Sequence, residues 1–242
     1  MIPKIINHIW LQGNIPDKYI DNYKDWGDLH PLWEHKIWDE TSLVLLCSKE
    51  QINQYKKLNT LINRVNFLKY ILMYNVGGVY ADLDTHPLKS IDDLLNEHIL
   101  KDIDIDSLLS IYYPFNTEIP NKKFKDYNII IPSRRTLSFY PNGDKSLLLD
   151  NPFLISNKKN PFWINLIEFC LNRTNLKKGF NNTLSQDCSH EPLGPYGMTD
   201  FLFNGYHYPY KEGILVIPPI YWSNIKTKSD NKYIIHDGDC GW

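Results

Sequence analysis

The sequence predicts an α/β protein in which helices sandwich a central sheet, and three observations carry that prediction. Short apolar runs alternate with segments of helical period along the chain. A glycine pair, Gly77-Gly78, separates one helical stripe from the strand that follows. That strand ends in two carboxylates, Asp82 and Asp84, spaced i, i+2, and open α/β sheets gather their ligands at the carboxyl ends of strands.

In chain order, Pro3 to Trp10 reads as an opening strand and Trp33 to Trp38 as a second, with both tryptophans assigned to packing. Thr41 to Leu46 and Gln51 to Tyr55 read as helical or mixed. Leu61, Val65, Leu68 and Leu72 recur at i, i+4, i+7 and i+11, with Ile71 widening the stripe, which predicts a helix. Asn75 and the two glycines end it, because they tolerate positive φ and close backbone approach. On that helix Asn66, Lys69, Tyr70 and Met73 lie off the stripe. Asn66 and Lys69 share a face from which they can reach the acids.

The second half is less regular. Leu108 to Tyr113 is an apolar run, Asn121 to Asp126 a solvated polar loop, and Tyr127 to Pro132 a β-rich segment. Phe162 to Leu171 reads as a helix entered through Asn157 to Asn160 and Pro161. Ile214 to Pro218 and Tyr233 to His236 read as late strands. No internal repeat or low-complexity tract interrupts this order.

At 242 residues and 43% hydrophobic, the chain can bury a large core, and one domain over 1–242 is the simplest organisation. A net charge of −2 gives no electrostatic basis for nucleic acid or an anionic membrane as partner. No run approaches the ~20 apolar residues of a transmembrane segment, and the start passes directly into Ile2-Pro3-Lys4 without an apolar signal region. A cytoplasmic location is expected, with peripheral attachment to a membrane as its variant. Cys47, Cys170, Cys188 and Cys240 are scattered without metal-ligand spacing and read as free thiols of a reducing compartment. The 7 Trp and 16 Tyr mostly serve the core, and a few suit stacking on sugars or bases.

Acids at a strand end are costly unless neutralised. Oxygen ligands beside an open face suit Mg²⁺ or Mn²⁺ shared with a phosphate, so Asp82 and Asp84 point to a metal-bridged diphosphate.

The run Arg64 to Asp84, with Tyr70, Gly77, Gly78, Tyr80, Asp82 and Asp84 in register and Pro87-Leu88 just after, resembles the DXD-containing sugar-binding region of glycosyltransferase family 32. That family is distantly related to the clostridial glucosylating toxins. Ile2 to Trp10 is similar to the family's opening strand, Gly194-Pro195 to its acceptor-side loop, and His236 to Trp242 to its closing segment. The resemblance implies a GT-A fold, a Rossmann-like α/β/α sandwich. It implies a metal-dependent, retaining transfer of a hexose from a UDP- or GDP-sugar to a glycan, glycoconjugate or other hydroxyl acceptor. Its implied roles are Mn²⁺ or Mg²⁺ held by Asp84, Asp82 and His236 or Asp237, with Asp82 and Asp84 as the catalytic pair. Trp10 would stack on the base, Arg64, Asn66, Lys69, Tyr80 and Asp82 would line the donor, and Trp242 would cap the diphosphate.

The chain departs from the family pattern at Asn7, Asn66, Lys69, Asp237 and Gly241. Lysine lacks the planar fork of the arginine it replaces. Asn66, Lys69 and Gly241 keep one alternative, a catalytically silent nucleotide-sugar- or glycan-binding domain of the same fold. A haloacid-type phosphatase is the lesser alternative. Its Asp-x-Asp-x-Thr or Val pattern is not met, since Thr85 follows Asp84 at once and His86 stands fifth.

Overall fold

A computed structural model of the chain describes residues 1–97, 123–133, 138–139, 145–146, 148–173, 192–205, 213–217, 222–223 and 232–238. Its framework is a six-stranded mixed sheet. The strands are β1 (Ile5–Ile9), β2 (Glu34–Trp38), β3 (Gly78–Ala81), β5 (Ile129–Pro132), β6 (Phe153–Ser156) and β7 (Ile214–Ile217), after a short β4 (Thr85–Pro87) outside this sheet. Across the sheet the order is β2-β1-β3-β6-β5-β7. β1 pairs in parallel with β2 and β3, β6 runs antiparallel between β3 and β5, and β7 is parallel to β5. A second sheet joins β4 to β8 (Trp222–Ser223) and β9 (Ile234–His236).

Side chains alternate across a strand, and here both faces are covered. Tyr80, Ile129, Ile131, Leu154, Ile214 and Val216 belong to one core. Helices α4 (Leu61–Asn75), α6 (Phe162–Arg173) and α7 (Pro195–Gly205) supply the other wall of that core. Val79, Ala81, Ile130, Phe153, Ile155 and Leu215 face the opposite core. Trp26 of α1 (Asp17–Leu29), Ile91, Leu94 and Leu95 of α5 (Ile91–Asn96), and Phe124 close it. The short helices α2 (Glu40–Val44) and α3 (Lys49–Tyr55) begin with capping boxes built by Asp39–Ser42 and Ser48–Gln51.

Several segments differ from the sequence reading. The helix over Leu61–Asn75 is buried on nearly every side from Asn63 to Met73, so Met73 is core and the expected stripe is only one part of the buried surface. The expected solvated loop over Asn121 to Asp126 contains a 3₁₀ turn at Phe124–Asp126, whose Phe124 is buried because apolar area outweighs the surrounding lysines. Helices α1, α5 and α7 and strand β6 are additional to the expected elements. The apolar run at Leu108 to Tyr113 lies outside the described residues.

The turn between α4 and β3 sets the position of the acids. Gly77 and Gly78 have φ of +70° and +83°, a region that favours glycine. A Cβ on Gly78 would lie 2.5 Å from the Ile5 carbonyl oxygen and 2.6 Å from the Ile5 side chain. Asn7, fully buried in β1, ties this turn down: its amide donates to the carbonyls of Gly77 and Val79, each at 3.0 Å, while its oxygen accepts from the Trp38 indole at 2.9 Å. Every hydrogen-bonding atom of that side-chain amide is thereby used.

On the opposite face of β1, His8 is also fully buried, against Tyr23 and Trp26. Its Nδ1 lies 2.8 Å from the Ala81 carbonyl, and its Nε2 has no hydrogen-bond partner among the described residues. Burial lowers its pKa to about 3, against the opposing pull of the Ala81 hydrogen bond, with a further small lowering from His35. The ring is therefore neutral at physiological pH, with Nδ1–H as the donor.

Two predictions follow from this packing. Gly78→Ala should cost about 2–4 kcal/mol through positive-φ strain and overpacking against Ile5, read as a lowered denaturant midpoint; an unchanged midpoint would refute the close approach. The His8 pKa is lower in the folded than in the unfolded state, so its contribution is complete above pH 6.5 and is lost as pH falls toward about 3. Stability should fall by roughly 1 kcal/mol per pH unit in that window from this group. His8→Asn should flatten the slope between pH 6 and pH 4, in a series of denaturant titrations against pH, by roughly that amount.

Candidate metal centre

The chain leaves the sheet at Ala81 and reverses within three residues. The Asp82 N–H donates to the Pro152 carbonyl at 2.7 Å, and the Asp82 carbonyl accepts from the Thr85 N–H at 3.0 Å and the Thr85 hydroxyl at 2.5 Å. The remaining carbonyls of the turn are held by side chains from β1 and α1. His8 binds the Ala81 carbonyl, Asn22 donates to that of Leu83 at 2.8 Å, and the Trp26 indole donates to that of Thr85 at 3.2 Å. The turn then enters β4, which pairs antiparallel with β9 so that His236 stands opposite Thr85. The Asp237 N–H donates to the Asp84 carbonyl at 3.0 Å, which completes the backbone frame.

This frame brings together Asp82, Asp84 and His236, with one potential ligand atom from each lying within 4.8 Å of the others. Asp82 and Asp84 are 7% and 4% exposed. Nε2 of His236 is 3.2 Å from Oδ2 of Asp84. Burial alone would lower the His236 pKa, but the Asp84 hydrogen bond and the charges of Asp84, Asp82 and Asp150 raise it above the ordinary histidine value. Oδ1 of Asp82 accepts from Nζ of Lys69 at 3.3 Å and from the Tyr80 hydroxyl. Burial pushes the Asp82 carboxyl above the usual range, aided by Asp84 and opposed by Lys69, His236 and Tyr80. Burial and the Asp82 charge keep the Tyr80 phenol protonated.

The side chains fit a hard divalent cation. Oδ1 of Asp84 is buried with no hydrogen-bond partner among the described residues, a costly state for a carboxylate oxygen. Two carboxylates and one imidazole make a donor set suited to Mn²⁺ or Mg²⁺. Successive strand residues face opposite ways. Asp237, just past the end of β9, is exposed on the other side, where its Oδ2 lies 2.8 Å from Nε2 of His86.

The other sequence-predicted residues fall in distinct places. Trp10 packs with Tyr19 and with Leu83, the residue between the two acids, and its indole donates to the Asn14 carbonyl at 3.2 Å. Lys69 and Tyr80 lie at Asp82. Asn66 reaches the same region through Asn151, whose amide donates to the Asn66 oxygen at 2.9 Å. Arg64 points to the start of its helix, with Nε donating to the Leu58 carbonyl at 3.1 Å and the guanidinium beside Tyr55. Gly194 and Pro195 are buried next to Leu193, whose carbonyl accepts from the Tyr70 hydroxyl at 2.7 Å. Trp242 and Gly241 lie outside the described residues.

The sequence carries no mark of the polar contacts of Asn22 and Asn151. Asn151 sits between Lys69, Asn66 and Tyr70, with its carbonyl accepting from Lys69 at 2.9 Å. Neither residue lies near the acid pair in the sequence. Each directly follows an acid, Asp21 or Asp150, so neither stands out in the sequence as a buried polar residue.

Residues 16–101 match the family model described as a glycosyltransferase sugar-binding region containing the DXD motif. Helix α4 and the acid turn lie within this matched segment, which is similar to a DXD sugar-binding region. It is 33% identical over 98 residues to inositol phosphoceramide mannosyltransferase 3 of Schizosaccharomyces pombe, an alignment covering 39% of this chain and 28% of that protein. It is 26% identical over 104 residues to the initiation-specific alpha-1,6-mannosyltransferase of Candida albicans, covering 39% and 27%. These alignments span less than a third of the relatives' lengths. The structure superposes on PaToxG glycosyltransferase with a TM-score of 0.52 at 16% identity, over 85% of this chain and 70% of that one. The DXD region thus sits in a GT-A fold. Among the described residues no helix is long and apolar enough to cross a membrane.

Removing the charge of one proposed ligand separates metal binding from folding. Asp84→Asn should abolish Mn²⁺-dependent binding of UDP or GDP in calorimetry while retaining the cooperative unfolding transition, since an amide lacks the charge a hard cation requires. Binding as tight as in the parent would contradict the metal assignment.

Proposed function

We propose that the protein is a glycosyltransferase that moves a hexose from a nucleoside-diphosphate sugar, a UDP- or GDP-sugar, to a hydroxyl of a glycan or glycoconjugate. The carrying observation is the Asp82–Asp84–His236 cluster, with its unpaired buried carboxylate oxygen, inside the segment that matches a DXD sugar-binding region. Asp84 and His236, with Asp82 beside them, would hold Mn²⁺ or Mg²⁺. A cation there would supply electrostatic stabilisation of the departing diphosphate.

The chain's own residues account for the rest of the proposed reaction. Trp10, packed on Leu83, would flank the nucleobase, as the family resemblance implies. The linked amides of Asn66 and Asn151, beside Lys69, offer donors and acceptors for sugar hydroxyls. Gly194 and Pro195 form the acceptor side, Arg64 a more distant donor contact, and Trp242 the cap over the diphosphate. Asp237, facing His86, is the alternative to His236 as third ligand. Its outward direction favours His236. Configuration is retained: the acceptor hydroxyl attacks the anomeric carbon on the face from which the diphosphate leaves, and its proton passes to the departing phosphate oxygen. The family resemblance supports this course.

A donor-hydrolysis screen tests the proposal without knowledge of the acceptor. Nucleotide sugars are incubated with the protein and Mn²⁺, and the released UDP or GDP is measured. Release should occur with one donor class, stop on chelation, and vanish in Asp84→Asn. Tight Mn²⁺-nucleotide binding with no turnover of any donor would instead establish a silent binding domain, the reading that Asn66 and Lys69 keep open.

A further inference from the structure

Lys69 is 2% exposed, and its ammonium has three neighbours of opposite or negative character. It donates to Oδ1 of Asp82 at 3.3 Å and to the Asn151 carbonyl at 2.9 Å, and it lies 4.4 Å from the centre of the Tyr80 ring. Oδ1 of Asp82 also accepts from the Tyr80 hydroxyl. One oxygen of one candidate metal ligand is therefore fully occupied from within the protein.

We propose that Lys69 is a built-in counter-ion that competes with the divalent cation for Asp82 and holds metal affinity down. This inference rests on the metal-centre reading above. Its physical basis is a choice between two effects of opposite sign. Lys69 helps to orient Asp82, and loss of an orienting group ordinarily weakens a metal site. It also places a full positive charge beside the site, in a setting shielded from solvent ions, where like charges repel strongly.

The second effect wins here because the orientation of Asp82 is over-determined. The Tyr80 hydroxyl still binds Oδ1, the Asp82 N–H still binds Pro152, and the Asp82 carbonyl is held twice by Thr85. None of these contacts depends on Lys69. Without the lysine the two carboxylates would retain their geometry and lose their internal cation. The metal-free protein then lacks a compensating charge that Mn²⁺ can supply. In the parent, the site carries enough internal positive charge that Mn²⁺ binds well only when a diphosphate brings further negative charge.

The experiment measures Mn²⁺ alone, by electron paramagnetic resonance titration and by thermal unfolding with and without Mn²⁺, in the parent, Lys69→Met and Lys69→Arg. Lys69→Met should bind Mn²⁺ about tenfold more tightly or better, the scale on which groups just outside a metal's ligands act. Its melting temperature should be lowered without metal, and Mn²⁺ should raise it by more than in the parent. Lys69→Arg, which keeps the charge, should stay as weak as the parent. Equal or weaker Mn²⁺ binding in Lys69→Met overturns the proposal while leaving the metal centre standing. Absence of Mn²⁺ binding in parent and variant alike, with or without UDP or GDP, overturns the metal centre itself. If Lys69→Met folds neither with nor without Mn²⁺, Lys69→Gln decides: its amide can still donate a hydrogen bond but carries no charge, so Mn²⁺ binding should tighten several-fold, and unchanged binding rejects the competition.

Discussion

Two carboxylates buried at the end of one strand are the constraint on which the rest of this structure depends. Asp82 and Asp84 are separated by a single residue and nearly excluded from solvent, so their mutual repulsion and lost hydration must be offset locally. The protein does this from several directions at once. Helix α4 contributes Lys69, β3 its own Tyr80, and β9 contributes His236 from far along the chain. Among the described residues, one oxygen of Asp84 has no such partner. Compensation is thus complete except at the point where a cation would bind.

That arrangement accounts for the polar residues buried along α4. The helix carries a core face toward α6 and α7 and a polar face toward the acids, and Lys69, Asn66 and Tyr70 are paid for by hydrogen bonds to Asp82, Asn151 and Leu193. A helix with amphipathic periodicity would normally leave its polar side in water. Here the polar side is the wall of a site. The lysine is tolerated because each of its contacts is negative, carbonyl or aromatic in character.

Much of this was legible in the sequence, and for identifiable reasons. The stripe from Leu61 to Leu72, the glycine turn and the acid pair are local patterns, so their succession could be read directly. The joining of β9 to the acid turn could be expected only through family resemblance, because strand pairing between residues 85–87 and 234–236 leaves no local trace. Helix α1 leaves little trace in the sequence, since its apolar residues are few. Its buried members, Tyr19, Asn22 and Trp26, include a polar one whose purpose appears only when Leu83 is placed beside it. Strand β6 has no such mark, because its three apolar residues, Phe153 to Ile155, are too short a run to show a periodicity of their own.

The side-chain anchors on the acid turn carry a consequence for protein engineering. The carbonyls of Ala81, Leu83 and Thr85 are fastened by His8, Asn22 and Trp26, which belong to a strand and a helix far upstream of the motif. The aim of the two carboxylates is therefore stored outside the motif that names them. A graft of residues 77–84 onto another scaffold would transplant the ligands without their bearings, and a portable version of this centre must carry β1 and α1 with it.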